Sequence, residues 1–265
     1  MNDMITIEKK KIINIRDNVY FLGNPEENFN KENLYLSVRE KEKRIYDDST
    51  LISLPEVDIY HPHYYEWQIR KKSARKLLKY ILQNKKNIDI LDLGCGGGWL
   101  SNFISSWSGN DVYAVDLNIK ELEQGAKVFC HNDKLFFIYG DIVDDIFFPK
   151  SFDIIIIASA IQYFDNLNIL LNRLFYFLKP GGEIHIIDSP IYNESEIVAA
   201  RNRTENYYRD IESPEMKNYY FHHSWNELNG IKYLVMNQAA LNFHKFKKYF
   251  TVNKIKPFPW IKITH

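Results

Sequence analysis

The chain has 265 residues, 45% of them hydrophobic, with 34 basic and 34 acidic side chains and a formal net charge of zero. That supplies a sizeable core, as one domain with extensions or two small ones, and the neutral total excludes the global basic field with which nucleic-acid binders replace counterions. The most apolar stretch, residues 154–161, falls far short of a membrane span, Met1-Asn2-Asp3-Met4 opens no charged-then-apolar signal pattern, and two cysteines make no disulfide framework, so the expected compartment is the cytoplasm.

Residues 1–60 carry few clear signals. Ile5, Ile7, Ile12, Ile13, Ile15, Val19, Tyr20 and Phe21 suggest short strands broken by Arg16-Asp17-Asn18, and Gly23-Asn24-Pro25 reads as a turn. Residues 38–46 mix both signs of charge and predict a solvated helix face. No cysteine pair supports a zinc module. Residues 1–64 are therefore expected to form an N-terminal extension that packs on the main domain and contributes to a lid. Beyond Pro62, Trp67, Ala74, Leu77, Leu78, Ile81 and Leu82 recur at helical spacing and predict a helix over about 65–83. Its other face, from Arg70 to Lys79, is basic and reads as solvated.

Ile88, Ile90, Leu91 and Leu93 predict a short buried strand, after which Gly94-Cys95-Gly96-Gly97-Gly98 turns into a helix opening at Trp99. Glycine tolerates backbone angles that a Cβ forbids and lets a ligand approach the main chain. Strand, glycine loop and helix N-terminus together cradle a nucleotide-like ligand. The spacing is not the dinucleotide fingerprint G-x-G-x-x-G. Counted from Gly94 the third glycine falls on Trp99, and counted from Gly96 it falls on Ser101. What stands here is D-x-G-x-G-x-G, on Asp92, Gly94, Gly96 and Gly98. An acid at the end of the strand suits a cationic ligand group better than a pyrophosphate.

The next strand, 111–116, ends in Asp116, at the offset of about 20 residues where a carboxylate can accept both hydroxyls of a ribose. The other reading is a helix N-cap, by Asp116 or Asn118. A third strand, 135–139, is followed by Gly140-Asp141-Ile142, where Asp141 is either an acceptor for the amine of adenine or a turn residue. Residues 152–158 form a continuous apolar run, fit for a central parallel strand. Leu167, Leu170, Leu171, Leu174, Phe175 and Leu178 give an amphipathic helix, stopped by Lys179-Pro180-Gly181-Gly182 before a strand at 183–188. Five alternations of strand and helix predict a doubly wound parallel sheet. A helix over about 194–210 and strands near 231–235 and 258–263 are expected to follow, with Pro257 and Pro259 admitting only an edge strand.

In this order the motifs resemble those of the class I S-adenosylmethionine-dependent methyltransferases, in particular the small-molecule "type 11" group. The resemblance covers residues 88–188 and reaches more loosely to Arg70. It implies a Rossmann-like, doubly wound, seven-stranded and mostly parallel sheet with helices on both faces and an antiparallel edge strand, in a methyltransferase domain over 65–265. It implies S-adenosylmethionine as cofactor and S-adenosylhomocysteine as product. On the same ground Asp92 and Gly94, with Gly96 and Gly98 completing the loop, would neighbour the methionine amino group. Asp116 and Leu117 would meet the ribose, Asp141 and Ile142 the adenine, and Ala158 and Ser159 the methionine end.

Two departures narrow the substrate. The Asn/Asp-Pro-Pro-Tyr of base-amine methylation is replaced by Ala158-Ser159-Ala160-Ile161, so DNA is not an expected partner, and no acidic and histidine cluster suggests a catalytic metal. The protein is expected to methylate an O, N or C atom of a small or medium-sized molecule, without a membrane partner. Oligomeric state is not legible. A base is needed only where the acceptor must lose a proton, and His63, His222 and His223 are the candidates, since histidine titrates near neutrality. A cofactor-binding module without catalysis is the alternative; a nicotinamide oxidoreductase is disfavoured by the glycine spacing.

Overall fold

A computed structural model describes residues 14–27, 29–144, 146–237 and 258–264. One nine-stranded sheet organises them. In chain order the strands are β1 (Asn14–Arg16), β2 (Val19–Phe21), β3 (Asp89–Leu93), β4 (Asp111–Asp116), β5 (Leu135–Tyr139), β6 (Phe152–Ala158), β7 (Leu178–Ile187), β8 (Tyr233–Val235) and β9 (Ile261–Thr264). Their order across the sheet is β1-β2-β5-β4-β3-β6-β7-β9-β8. From β2 to β7 every neighbouring pair is parallel; β1 on β2, and β9 on both β7 and β8, are antiparallel. The chain steps outward from β3 through β4 to β5, then returns to lay β6 on the other side of β3. Ligand crevices of doubly wound sheets lie at this reversal, outside the carboxyl ends of the strands.

Among the described residues the α-helices are α1 (Phe29–Lys41), α2 (Asp48–Ser53), α3 (Tyr64–Asn84), α4 (Trp99–Ser108), α5 (Ile119–Val128), α6 (Leu167–Phe177) and α7 (Glu194–Asp210). Side chains alternate across a strand, and β6 shows the result. Ile155 and Ile157 join one buried cluster with Leu91, Leu93 and the apolar stripe of α6, whereas Ile154 and Ile156 join another with Ile90, Leu77 and Leu122. Burial on both faces accounts for its unbroken apolar run.

The structure differs from the expectation at the margins. Two extra strands extend the sheet: Asp17 and Asn18 both take positive φ (50° and 63°), as a two-residue hairpin turn requires, and β2 then adds in parallel to β5. Ile5, Ile7, Ile12, Ile13 and Pro257 lie outside the described residues. β9 is an interior strand, flanked by β7 and β8, and β8 is the edge. Pro259 is compatible with this because it precedes the strand and owes it no hydrogen bond. Leu178 already pairs with Phe152 as part of β7, so α6 ends one residue sooner than its periodicity suggests. Among the described residues no helix is long and apolar enough to cross a membrane.

α5 lies directly on the glycine loop because residue 125 has no side chain. A Cβ on Gly125 would sit 2.5 Å from the Gly97 carbonyl oxygen and 2.6 Å from the Phe137 ring. Alanine is the better helix former by about 1 kcal/mol, yet a backbone oxygen at that distance cannot yield without moving the loop. Gly125→Ala is expected to lower stability by about 1–3 kcal/mol in urea unfolding. A stabilised variant would contradict this packing.

Candidate functional site

A cavity of about 840 Å³ opens at the carboxyl ends of β3, β4 and β6, with α1 and α2 contributing its roof. Its floor is the glycine loop. Gly94, Gly96 and Gly98 all take positive φ (74°, 54° and 74°), which explains the alternation of glycines. The Gly94 and Cys95 amides both donate to the Val115 carbonyl, at 2.8 and 3.2 Å, fastening the loop to β4. Asp116 fastens it again. Its Oδ2 accepts the Gly96 amide at 2.8 Å and its Oδ1 accepts the Asn118 amide at 2.9 Å. Burial pushes the Asp116 carboxyl up against the pull of these amides and of the Arg39 charge. The capping role belongs to Asn118, whose Oδ1 accepts the Glu121 amide at 3.0 Å at the head of α5.

The residues singled out from the sequence divide into two groups. Gly94, Gly96, Asp116, Leu117, Asp141, Ile142, Ala158 and Ser159 all line the cavity. Asp141 also makes the turn, its Oδ1 accepting the Val143 amide at 3.1 Å. Ser159 sits at φ 55° and donates its hydroxyl to the Asp188 carbonyl. Asp92 and Gly98 do not line the cavity. Asp92 is 1% exposed and turned inward, accepting the Ser101 hydroxyl at 2.5 Å, so it anchors the first turn of α4. A Cβ on Gly98 would fall 2.4 Å from the Phe137 ring, a packing constraint rather than a ligand contact.

The three histidines are also elsewhere. His63 precedes α3 and donates from Nε2 to the Glu42 carbonyl at 2.8 Å. His223 is enclosed: Nε2 donates to the Ile161 and Phe164 carbonyls, and Nδ1 lies 3.0 Å from Glu227. His222 sits 2.9 Å from the Thr204 hydroxyl, its basicity lowered by burial and by the charges of Arg201 and Arg203. His222 and His223 line a second, polar cavity that adjoins the first at Asp165, Asn218 and Phe221. Among the described residues no group of three metal-ligating side chains occurs.

Sequence reasoning expected residues 1–64 to contribute to a lid but named none of them as lining the cavity. Glu32, Tyr35 and Arg39 lie on one face of α1, three and four residues apart, and all line the cavity. The mixed charge of this segment concealed the stripe: Arg39 is not a solvated residue but a cavity wall, with 19% of its side chain exposed. Opposite stands Glu121, to which Tyr35 hydrogen bonds. Burial raises the carboxyls of Glu32 and Glu121 to about 7 each, with the Asp116 charge pushing the same way.

Buried side-chain polar atoms almost always find a partner. Among the described residues six such atoms have none, and five of these, Glu32 Oε1, Arg39 Nε, Asn118 Nδ2, Glu121 Oε2 and Gln162 Oε1, belong to residues that line this one cavity.

Residues 90–182 match the family model described as "Methyltransferase domain". This part of the chain is a class I methyltransferase domain. Relatives of the domain include a malonyl-[acyl-carrier protein] O-methyltransferase of Priestia megaterium, 29% identical over 119 residues (44% of this chain and 43% of the relative). A sterol 24-C-methyltransferase of Clavispora lusitaniae is 29% identical over 127 residues (45% and 33%). The chain thus spans less than half the length of these curated relatives. The fold is shared with geranyl diphosphate C-methyltransferase from Streptomyces coelicolor, crystallised with S-adenosyl-L-homocysteine, at a TM-score of 0.53 and 17% identity over 78% of this chain and 81% of that one. It is shared equally with the YcgJ protein of Bacillus subtilis, at a TM-score of 0.53 and 19% identity over 63% and 70%.

Asp92 offers a test of the electrostatics. Burial raises its carboxyl to about 7, with the Ser101 hydroxyl pulling down and the Asp116 charge pushing up. A carboxyl with a raised folded-state pKa favours folding while protonated and loses that contribution as pH rises through about 7. Asp92→Asn is expected to gain several degrees in Tm relative to wild type between pH 5.5 and 8.5, read by thermal melts across that range. A pH-independent difference would contradict the burial of a titrating acid at this position.

Proposed function

We propose that the protein is an S-adenosylmethionine-dependent methyltransferase acting at an O, N or C atom of a small or medium-sized acceptor, free or carried on a protein. The observation that carries this is the glycine loop on the cavity floor with the Asp116 carboxylate fixed beside it on the wall. Their chemistry fits the cofactor, whose ammonium, sulfonium and ribose hydroxyls call for acids and whose lack of phosphate calls for no cations on the loop. The glycines at 94, 96 and 98 also lack the G-x-G-x-x-G spacing that holds a pyrophosphate. That argues against a nicotinamide dinucleotide.

When bound, S-adenosylmethionine supplies an electrophilic methyl carbon attached to a sulfonium leaving group. The protein's share is alignment and the exclusion of water. Asp116, held in place by two backbone amides, receives the ribose hydroxyls together with the Leu117 main chain. Asp141 and Ile142 receive the adenine. Gly94 and Gly96 offer main chain to the methionine end, and Ala158 and Ser159 leave it room. Glu32 and Glu121 balance positive charge. Residues 29–53 serve as the lid. The compartment we assign is the cytoplasm. A cofactor-binding module without turnover would use the same cleft, and only an acceptor assay separates the two.

Calorimetric titration with S-adenosylhomocysteine is the test. Wild type is expected to bind with micromolar affinity, and Asp116→Ala to lose about tenfold or more, as when a buried charge-assisted pair is removed. Release of S-adenosylhomocysteine from S-adenosylmethionine in the presence of a metabolite panel then reads turnover. Tighter binding of a nicotinamide dinucleotide than of S-adenosylhomocysteine would overturn the reading.

A further inference from the structure

Three guanidiniums line the cleft on its roof side: Arg39 from α1, Arg44 from the segment after it, and Arg70 from α3. Their counter-ions stand behind them. Glu42 lies 3.5 Å from Arg39 and 3.3 Å from Arg44. Glu66 takes a two-pronged contact from Arg44, at 2.9 and 2.5 Å, and a third from Arg70 at 2.9 Å. Neither Glu42 nor Glu66 lines the cleft. The chain of charges Arg39-Glu42-Arg44-Glu66-Arg70 therefore presents its cations inward and its anions outward. Arg44 spends all three of its nitrogens on the two carboxylates and positions the others. Arg39 keeps a buried Nε with no partner.

Each of the two remaining guanidiniums lies over an aromatic face, Arg39 at 5.4 Å from the Tyr35 ring and Arg70 at 5.2 Å from the Trp67 ring. Trp67 in turn meets Trp99 edge-on at 5.2 Å, and Tyr35 meets Tyr163 at 5.6 Å. Aromatic walls thus border the cations on the cavity side. The acids Glu32, Asp116 and Glu121 cluster beside the glycine loop, where the Arg39 charge reaches Asp116 and Glu121; Asp141, Glu40 and Asp165 also line the cleft, the last two exposed to solvent. Planar guanidinium groups match oxyanions of carboxylate and phosphate geometry.

We propose that the methyl acceptor bears an acidic oxyanion group, carboxylate or phosphate, that docks on Arg39 and Arg70 with its apolar body against the Trp99 and Tyr35 rings. This rests on the methyltransferase reading of the same cleft. The probes are 4-phenylbutyrate, its neutral primary amide, and phenyl phosphate, each titrated by tryptophan fluorescence into protein saturated with S-adenosylhomocysteine. At least one of the two anions is expected to bind about tenfold or more tightly than the amide, and to weaken as salt rises. Whichever anion binds better distinguishes a carboxylate from a phosphate acceptor. Arg39→Gln and Arg70→Gln are each expected to cost the anion about tenfold and to leave the amide unaffected.

Equal affinity for anions and amide in the wild type, or no binding of any of them, overturns the proposal whether or not the variants fold. So does a loss of S-adenosylhomocysteine affinity in both variants with unchanged anion affinity, since the arginines would then serve the cofactor's own carboxylate. If the wild type fails to bind S-adenosylhomocysteine before any probe is added, the methyltransferase reading itself falls and the acceptor proposal with it.

Discussion

The Asp116 carboxylate, held between the amides of Gly96 and Asn118, is the interaction on which the site depends. It joins the carboxyl end of β4 to the glycine loop of β3 and to the head of α5 with one buried charge. A carboxylate out of water is tolerated only where hydrogen bonds replace the solvent. Two amides do so here, and Asn118 takes over the capping role, so the acid remains on the cavity wall instead of being absorbed by the helix. Around it the packing leaves no slack. Gly98 and Gly125 press the loop against Phe137 from two sides, each at a distance that no Cβ could share. The loop is thus preformed, as tight ligand binding without reorganisation requires.

The sheet brings this arrangement to the surface at one place. β3 sits where the strand order reverses, with β4 on one side and β6 on the other, so the loops after all three diverge and leave a crevice. The two faces of the sheet are filled by separate apolar clusters, which leaves the strand ends for chemistry. The roof is supplied by α1, α2 and α3, from outside the matched domain. It sets arginines backed by Glu42 and Glu66, together with Glu32, across from the Asp116 and Glu121 carboxylates of the floor. Glu66 shows how firm the roof is. Burial alone would raise its carboxyl, yet the Arg44 hydrogen bonds and the Arg70 and Arg44 charges hold it down at about 2.

The parts that read well in the sequence are those whose physics is local. A glycine at every second position of the loop, an isoleucine run in β6 and the leucine stripe of α6 each announce their backbone and their burial, and the doubly wound core follows from their order. Where an acid could play two parts, local reading left the choice open, and long-range packing decided it. Asp92 looks like a ligand residue but is turned under α4 by Ser101, a contact nine residues away. The histidine candidates were chosen by their ordinary pKa, but carbonyls and a hydroxyl from distant segments engage them away from the cleft. The inward polar face of the roof was illegible because charge runs are ordinarily solvated. Only tertiary contact reveals that Arg39 faces inward while Glu42, three residues on, supports it from behind.

The central claim is that this cleft holds an adenosyl cofactor with its ribose on Asp116, and a crystal structure grown with S-adenosylhomocysteine tests it most directly. The account predicts density along the glycine loop, with both ribose hydroxyls within hydrogen-bonding distance of the Asp116 carboxylate. Density elsewhere on the molecule, or a ribose turned away from Asp116, would contradict it.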